Sequence, residues 1–283
     1  MTDYLITSVL NHNTVRCRQE KSQNEVLAYG TGIGFNHKAG DRIDSEKFTK
    51  MYEIKDIKMT KQCEELLRSV DLAVLDVSEE IIQQASREFN IKPDNHLHIA
   101  LLDHINFSVR RYRENIVVSN IFLEETECMY PKEFQFSERM LHLLNEKLNI
   151  HLPLAEAGFI CMHIHAAMHG EKASYSAMMV HIVKDCMNLI ETKYHIHLDR
   201  QSILYQRMVI HLKFAIKRAS ENVSLDNFLE NIIPEKCRDA YDTANDIAQL
   251  LSDNYSITIS ESEKCYLAVH IQNIVMQNSK ESS

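Results

Sequence analysis

The sequence predicts a multidomain chain: a small all-β module over residues 1–56, then two all-α helical-bundle domains over residues 66–170 and 171–283. Three observations predict it. Short alternating segments separated by turn residues fill the first 55 or so positions, and helical periodicity takes over from about residue 60. Four of the six glycines fall in "GTGIGFNHKAGD" (30–41), which leaves a long remainder almost free of a residue that weakens helices. Finally, the helical part aligns with itself at an offset of 107 residues.

In the first module "YLITSVL" reads as a strand, "NHN" as a turn and "TVRCR" as a second strand. "KSQNE" makes another polar turn and "VLAYG" a third strand. The glycine stretch follows, and "DRIDSEKFTKMYEI" closes the segment. Such short strands with tight turns suggest a small sheet or barrel. A core this small is marginal alone, so a homodimer is expected.

In the helical part "CEELLRSVDLAVLD", "EEIIQQASREFN" and "FSERMLHLLNEKLN" space apolar residues three and four apart. Ser78 and Ser137, each followed by an acidic residue, read as helix starts. "SESE" at 260–263 reads as a capping box before "CYLAVHI". The charged runs at 114–127 and 133–147 read as solvated helix faces.

The internal repeat rests on two windows. "LLDHINFSVRRYREN" (101–115) lies over "MVIHLKFAIKRASEN" (208–222), matching His104 to His211, Phe107 to Phe214, Arg111 to Arg218 and Glu114-Asn115 to Glu221-Asn222. "IHLPLAEAGFICMHI" (150–164) lies over "ITISESEKCYLAVHI" (257–271), matching Glu156 to Glu263 and His163 to His270. Each copy thus holds two equivalent histidines 59 residues apart, on largely apolar helix faces at the edge of a core or interface. One such histidine is most simply a packed core residue. Four at equivalent positions point to a shared role. Neutral imidazole is a nucleophile near physiological pH, and a phosphoryl group on it brings about two negative charges, enough to break or remake packing.

Composition narrows the function classes. The net charge is −9, yet residues 1–56 hold eight Lys/Arg against eight Asp/Glu, so the acidic surplus lies beyond them. An acidic chain is a poor non-specific nucleic-acid binder, so any such contact belongs to the first module and needs shape and stacking. The seven cysteines are scattered without a C-x-x-C pair, which predicts free, mostly buried thiols rather than disulfides or a zinc ribbon. No long apolar run or secretory signal is visible, so no stable membrane insertion and a cytoplasmic location are expected. "HLH" (96–98), "HIH" (163–165) and "HIH" (195–197) invite a metal reading, but i and i+2 side chains diverge on a helix, so no metal is expected. "GTGIGF" lacks dinucleotide-loop spacing and a following helix, and no acid–base groups converge. No cofactor and no catalytic residue are therefore expected, and the chain reads as no enzyme.

These residues together resemble a family. "VLNHNTV" and "GTGIGF…GD" in the first module, with "DHINF", "AGFICMHI", "IHLKF" and "YLAVHI" beyond, are similar to the BglG/SacY/LicT-type transcriptional antiterminators over essentially the whole chain. The resemblance implies a dimeric co-antiterminator RNA-binding domain and two phosphotransferase-system regulation domains. It implies binding of a hairpin in nascent mRNA, the ribonucleic antiterminator, which stops an overlapping terminator from forming in a sugar-utilisation operon. It further implies phosphorylation of His104, His163, His211 and His270, with Asp103 as acidic neighbour of the first. The resemblance also implies that a sugar-specific enzyme II inactivates through the first domain and that HPr activates through the second. In the RNA-binding module the family motif falls on Asn13, Gly30, Thr31, Gly32 and Phe35. Two departures stand out: Thr31 where a basic residue is usual, and His12 within the asparagine turn. Arg16, Arg18, Lys21 and Lys38 are the cations available to compensate. The alternative is a regulator with the same helical domains acting on DNA or protein. A helix-turn-helix would serve it, and residues 1–56 show too little helical periodicity for one.

Overall fold

Alternating side chains and tight turns build the first module into a five-stranded antiparallel sheet. Its strands are β1 (Asp3–Asn11), β2 (Thr14–Gln19), β3 (Glu25–Tyr29), β4 (Arg42–Asp44) and β5 (Lys50–Glu53). The computed structural model describes residues 3–20, 22, 24–53, 64–223, 230 and 232–281. The strand order is β4-β1-β2-β3-β5, so the closing segment read from the sequence supplies both edges. β1 carries two register shifts against β2, between Ile6 and Ser8 and between Val9 and Asn11, which bend it along its length. Tyr4, Ile6, Val15, Cys17, Val26, Ala28, Ile33 and Ile43 form the buried face, with Phe48 edge-on to Tyr4.

Beyond a helical stretch at 64–69, the helices are α1 (Leu72–Phe89), α2 (Asn95–Arg113), α3 (Leu123–Met129), α4 (Pro131–Leu148) and α5 (Ala155–His169). They continue as α6 (Ala173–Tyr194), α7 (Ile203–Ser220), α8 (Ile233–Lys236), α9 (Arg238–Tyr255) and α10 (Glu261–Glu281). Among the described residues no helix is long and apolar enough to cross a membrane.

The repeat seen in the sequence recurs in helix ends. α4 and α9 begin and end 107 residues apart. Asn115 and Asn222, at φ 56° and 53°, follow α2 and α7 at matched positions, and Asn149 and Ser256, at φ 51° and 57°, follow α4 and α9. Asn tolerates this left-handed conformation better than most side chains. The matched Glu-Asn pairs therefore have a structural cause: they terminate the helix that carries His104 or His211.

Helix entry differs from the sequence expectation at two points. Ser78 and Ser137 lie inside α1 and α4, where their hydroxyls donate back to the Val74 and Glu133 carbonyls at 2.6 and 2.7 Å. The side-chain caps are Asp94, accepting from the Leu97 amide at 2.8 Å, and Ser202, accepting from the Tyr205 amide at 3.2 Å. Ser260 caps α10 as expected, accepting from the Glu263 amide at 3.3 Å.

The chain forms two compact units, residues 1–117 with 142–152, and residues 118–141 with 153–283. In the first, α1 packs on α2 and Tyr52 of β5 donates to Glu79 of α1 at 2.8 Å. The second holds a continuous core that includes Phe134, Met187, Tyr205, Leu212, Ile247 and Ile271. Each fully buried aliphatic side chain there contributes roughly 1.5–3 kcal/mol. The acidic runs are not wholly solvated. Glu125 is fully buried, accepting from Tyr205 Oη at 2.5 Å and pairing with Lys184 Nζ at 2.8 Å, and Glu133 is buried against α5. The described cysteines are free thiols. Burial pushes Cys17 and Cys186 up to about 12, away from nucleophilic use, while Cys63 lies outside the described residues.

Candidate functional site

Two turns of the sheet module are locked together. Asn11 Oδ1 accepts from the Asn13 amide at 2.8 Å, which shapes the "NHN" turn as an Asx turn. Asn13 Oδ1 then accepts from the Gly32 amide at 2.7 Å, and main-chain bonds run from Gly30 N–H to Asn13 O (3.0 Å) and from Gly34 N–H to His12 O (2.8 Å). The glycines have different causes. A Cβ on Gly34 would lie 2.1 Å from Asn11 O and one on Gly30 2.3 Å from Lys47 O, so both admit the protein's own backbone. Gly32, at φ +70° with open space around it, is there for conformation. Its surroundings, not those of Gly30 and Gly34, leave room for a ligand's close approach.

This arrangement presents Phe35. Its ring is 59% exposed, an unusual state for a large apolar side chain, and His12 braces it edge-on with centroids 5.6 Å apart. Thr31, four residues before it, is also exposed. An exposed ring flanked by amides is suited to stacking on a base while its edge is read. Of the candidate cations, Arg16 and Arg18 are both engaged by Glu25, at 2.5 and 3.2 Å. Lys38 is exposed, and Lys21 lies outside the described residues.

All four repeat histidines are half-buried, at the edge of a core as expected. His104, with exposed Asp103 next to it, lies on α2 in the first unit, and His163 lies on α5 in the second. His211 of α7 and His270 of α10 stack on one another, with centroids 3.7 Å apart and planes 26° apart. Burial, then the neighbouring His211, pushes His270 down to about 4, and burial followed by Arg218 lowers His211. Both rings are therefore neutral at pH 7, the nucleophilic form. Arg218 and Glu263, another matched pair of positions, tie the same two helices through a two-point ion pair with Nη2 to Oε2 at 2.8 Å.

The repeat comparison does not reach two further clusters. His98, without a counterpart in the second copy, is buried. Its Nδ1 lies 2.8 Å from Glu79, and Lys50 Nζ of β5 lies 3.2 Å from its Nε2. On α5, His165 Nδ1 lies 2.8 Å from Glu133 Oε1 and its ring sits 4.4 Å from that of His169. Burial, the largest single influence, raises Glu133, but the His165 hydrogen bond, its own backbone N–H and the charges of His165 and Lys213 together hold the carboxyl low; burial and His165 lower His169. The relevant spacing is i, i+4, which brings 165 and 169 to one face where i, i+2 pairs diverge.

An exposed aromatic on a locked pair of turns, in a module joined to duplicated helices whose second copy stacks two histidines, fits a nucleic-acid-binding regulator whose helical part receives a signal. Residues 4–61 match the CAT RNA binding domain, and residues 79–167 and 184–274 match the PRD domain. The chain belongs to the family of transcription antiterminators that join these domains, the one its motifs resemble. It is similar to transcription antiterminator LicT of Bacillus subtilis, 28% identical over 96% of this chain and 99% of that protein. It is 27% identical to the beta-glucoside operon antiterminator of Dickeya chrysanthemi, over 95% and 96%, and 30% identical to protein GlcT of Staphylococcus epidermidis, over 99% and 100%. A crystal structure of GlcT CAT-PRDI aligns with TM-score 0.51 and 38% identity, covering 59% of this chain and 98% of that one. The chain is thus an RNA-binding regulator of transcription under phosphotransferase-system control, not an enzyme.

Proposed function

We propose that the locked turns at 11–13 and 30–35 grip a hairpin in nascent mRNA, the ribonucleic antiterminator, and so keep an overlapping terminator from forming in a sugar-utilisation operon. The observation that carries this is the Asn13–Gly32 bond, which locks the two turns together and leaves Phe35 of the second turn exposed. Phe35 stacks on an unpaired base, while Gly32 and Thr31 line the approach. Gly30 supports the loop from behind. The chain acts as a homodimer in the cytoplasm, with residues 1–56 as RNA module and 66–170 and 171–283 as the two regulatory domains.

The signal is phosphorylation of His104, His163, His211 and His270, with Asp103 supporting the first. A sugar-specific enzyme II serves the first domain and HPr the second. Half-buried imidazoles on helices that pack together support this role, because a phosphoryl group there forces repacking. The test uses the full chain in a mobility-shift assay with a bulged stem-loop RNA and an unrelated stem-loop, alongside transcription through a terminator. Selective binding that falls at least tenfold in Phe35→Ala or Asn13→Ala, with matching loss of read-through, is expected. Equal binding of both RNAs refutes the assignment.

A further inference from the structure

The cluster on α4 and α5 has a separate chemistry. Glu133, His165 and His169 each offer one donor atom, and these atoms lie within 4.8 Å of one another. Two histidines at i, i+4 on one helix and a carboxylate from a second form a compact nitrogen–oxygen set of the kind that suits zinc. The set is half-enclosed. The Glu133 and His165 side chains are 11% and 12% exposed, while His169 faces solvent and leaves an entry path.

We propose that Glu133, His165 and His169 form a binding site for a divalent transition-metal ion, with zinc the best fit and a fourth position left to water. Zinc bonds of 2.0–2.2 Å in tetrahedral geometry set neighbouring donors about 3.3 Å apart. The Glu133–His165 pair, now 2.8 Å apart, needs to open by only about 0.5 Å. His169 closes the remaining distance by rotating a solvent-exposed side chain. For Nδ1 of His165 to bind the ion, the proton it now shares with Glu133 must leave Nδ1, and the metal-bound ring keeps its proton on Nε2. The Tyr130 ring, 3.8 Å from that of His165, restricts its tilt. Lys213, the neighbouring cation, is held on the Met129 carbonyl at 2.6 Å and over the Tyr130 ring, although its charge still acts on Glu133. An ion bound here pins α4 to α5, the helix of His163, and raises stability with the logarithm of its free concentration above the dissociation constant.

The experiment is calorimetric titration of the metal-free full chain with zinc chloride in a non-coordinating buffer, with cobalt(II) absorption as a geometry readout. One saturable site per chain is expected, with tetrahedral cobalt colour. Affinity should fall by at least about tenfold in His169→Ala and in Glu133→Gln. His197→Ala, which removes an exposed histidine away from the cluster, should leave it unchanged. Because His169 is exposed, its loss does not threaten folding. Absence of a saturable site, or a His169→Ala protein that binds with the wild-type stoichiometry and affinity, overturns the proposal.

Discussion

His211 and His270 stack ring on ring at 3.7 Å, from two helices that the ion pair between Arg218 and Glu263 also clamps together. Two imidazoles this close disfavour each other's protonation. His270 sits at about 4 when folded against 6.5 for its ordinary value, so the unfolded chain binds more protons between those limits. Stability therefore falls as pH drops from 6.5 towards 4, by no more than about 3 kcal/mol from this residue. Urea denaturation at pH 7.5 and 5 should show a steep loss in the wild type and a shallower one in His270→Gln. An unchanged pH slope in the variant would remove the stack as its cause.

The same contact predicts that the two rings compete for phosphate. Even unit charges 4 Å apart cost about 4 kcal/mol at an effective dielectric of 20, and each phosphoryl group carries nearly two. In a chain with His104→Ala and His163→Ala, intact mass after treatment with phosphotransferase components should show one added phosphoryl group far more than two. A predominant doubly modified species contradicts this.

The buried carboxylate of Glu125 depends on Lys184 and Tyr205. Removing its ion-pair partner leaves the buried charge with only the Tyr205 hydroxyl and the more distant Arg200, so Lys184→Met should cost about 3 kcal/mol in denaturant unfolding. Adding Glu125→Gln to that variant should recover part of the loss. A double variant less stable than Lys184→Met alone shows that the pair is not coupled in this way.

The contrast between these features shows what a linear sequence carries. Strand alternation, the 107-residue repeat and the matched histidines are legible because period 2, period 3.6 and duplicated flanks are local signals. The Glu125 partners lie 59 and 80 residues away, so only folding reveals that an apparently solvated acid is buried. Ser78 and Ser137 mislead because a serine before an acid looks the same at a cap and inside a helix, where its hydroxyl bonds back one turn. The His165–His169 spacing is legible, whereas the Glu133 that completes the cluster is not. The clustering of glycine is plain in sequence, but its cause (backbone crossings at Gly30 and Gly34, positive φ at Gly32 and Gly40) is not.

Those causes separate under mutation. Gly34→Ala drives a Cβ into the Asn11 carbonyl and should cost about 2–3 kcal/mol, with RNA binding lost as the two turns part. Gly32→Ala meets open space and bears only the left-handed backbone cost of about 1–2 kcal/mol, while Gly32→Asn should recover most of that. Thermal unfolding of the three variants checks the order. If Gly32→Ala proves as damaging as Gly34→Ala, backbone crossing is not what Gly34 is for.

Thr31 is exposed in the same turn as Phe35, while Arg16 and Arg18 of β2 are held by Glu25. An arginine at this position reaches phosphate without displacing an existing contact, since the neighbouring Gly32 amide is already bound to Asn13. Thr31→Arg should therefore tighten hairpin binding at low salt and steepen the dependence of log affinity on log salt by about 0.7–0.9, the increment of one phosphate contact. Selectivity between hairpins should change little, because phosphate contacts carry no base information. Binding measured across a salt series for wild type and variant decides it: parallel lines would mean that the residue at 31 does not face the RNA backbone.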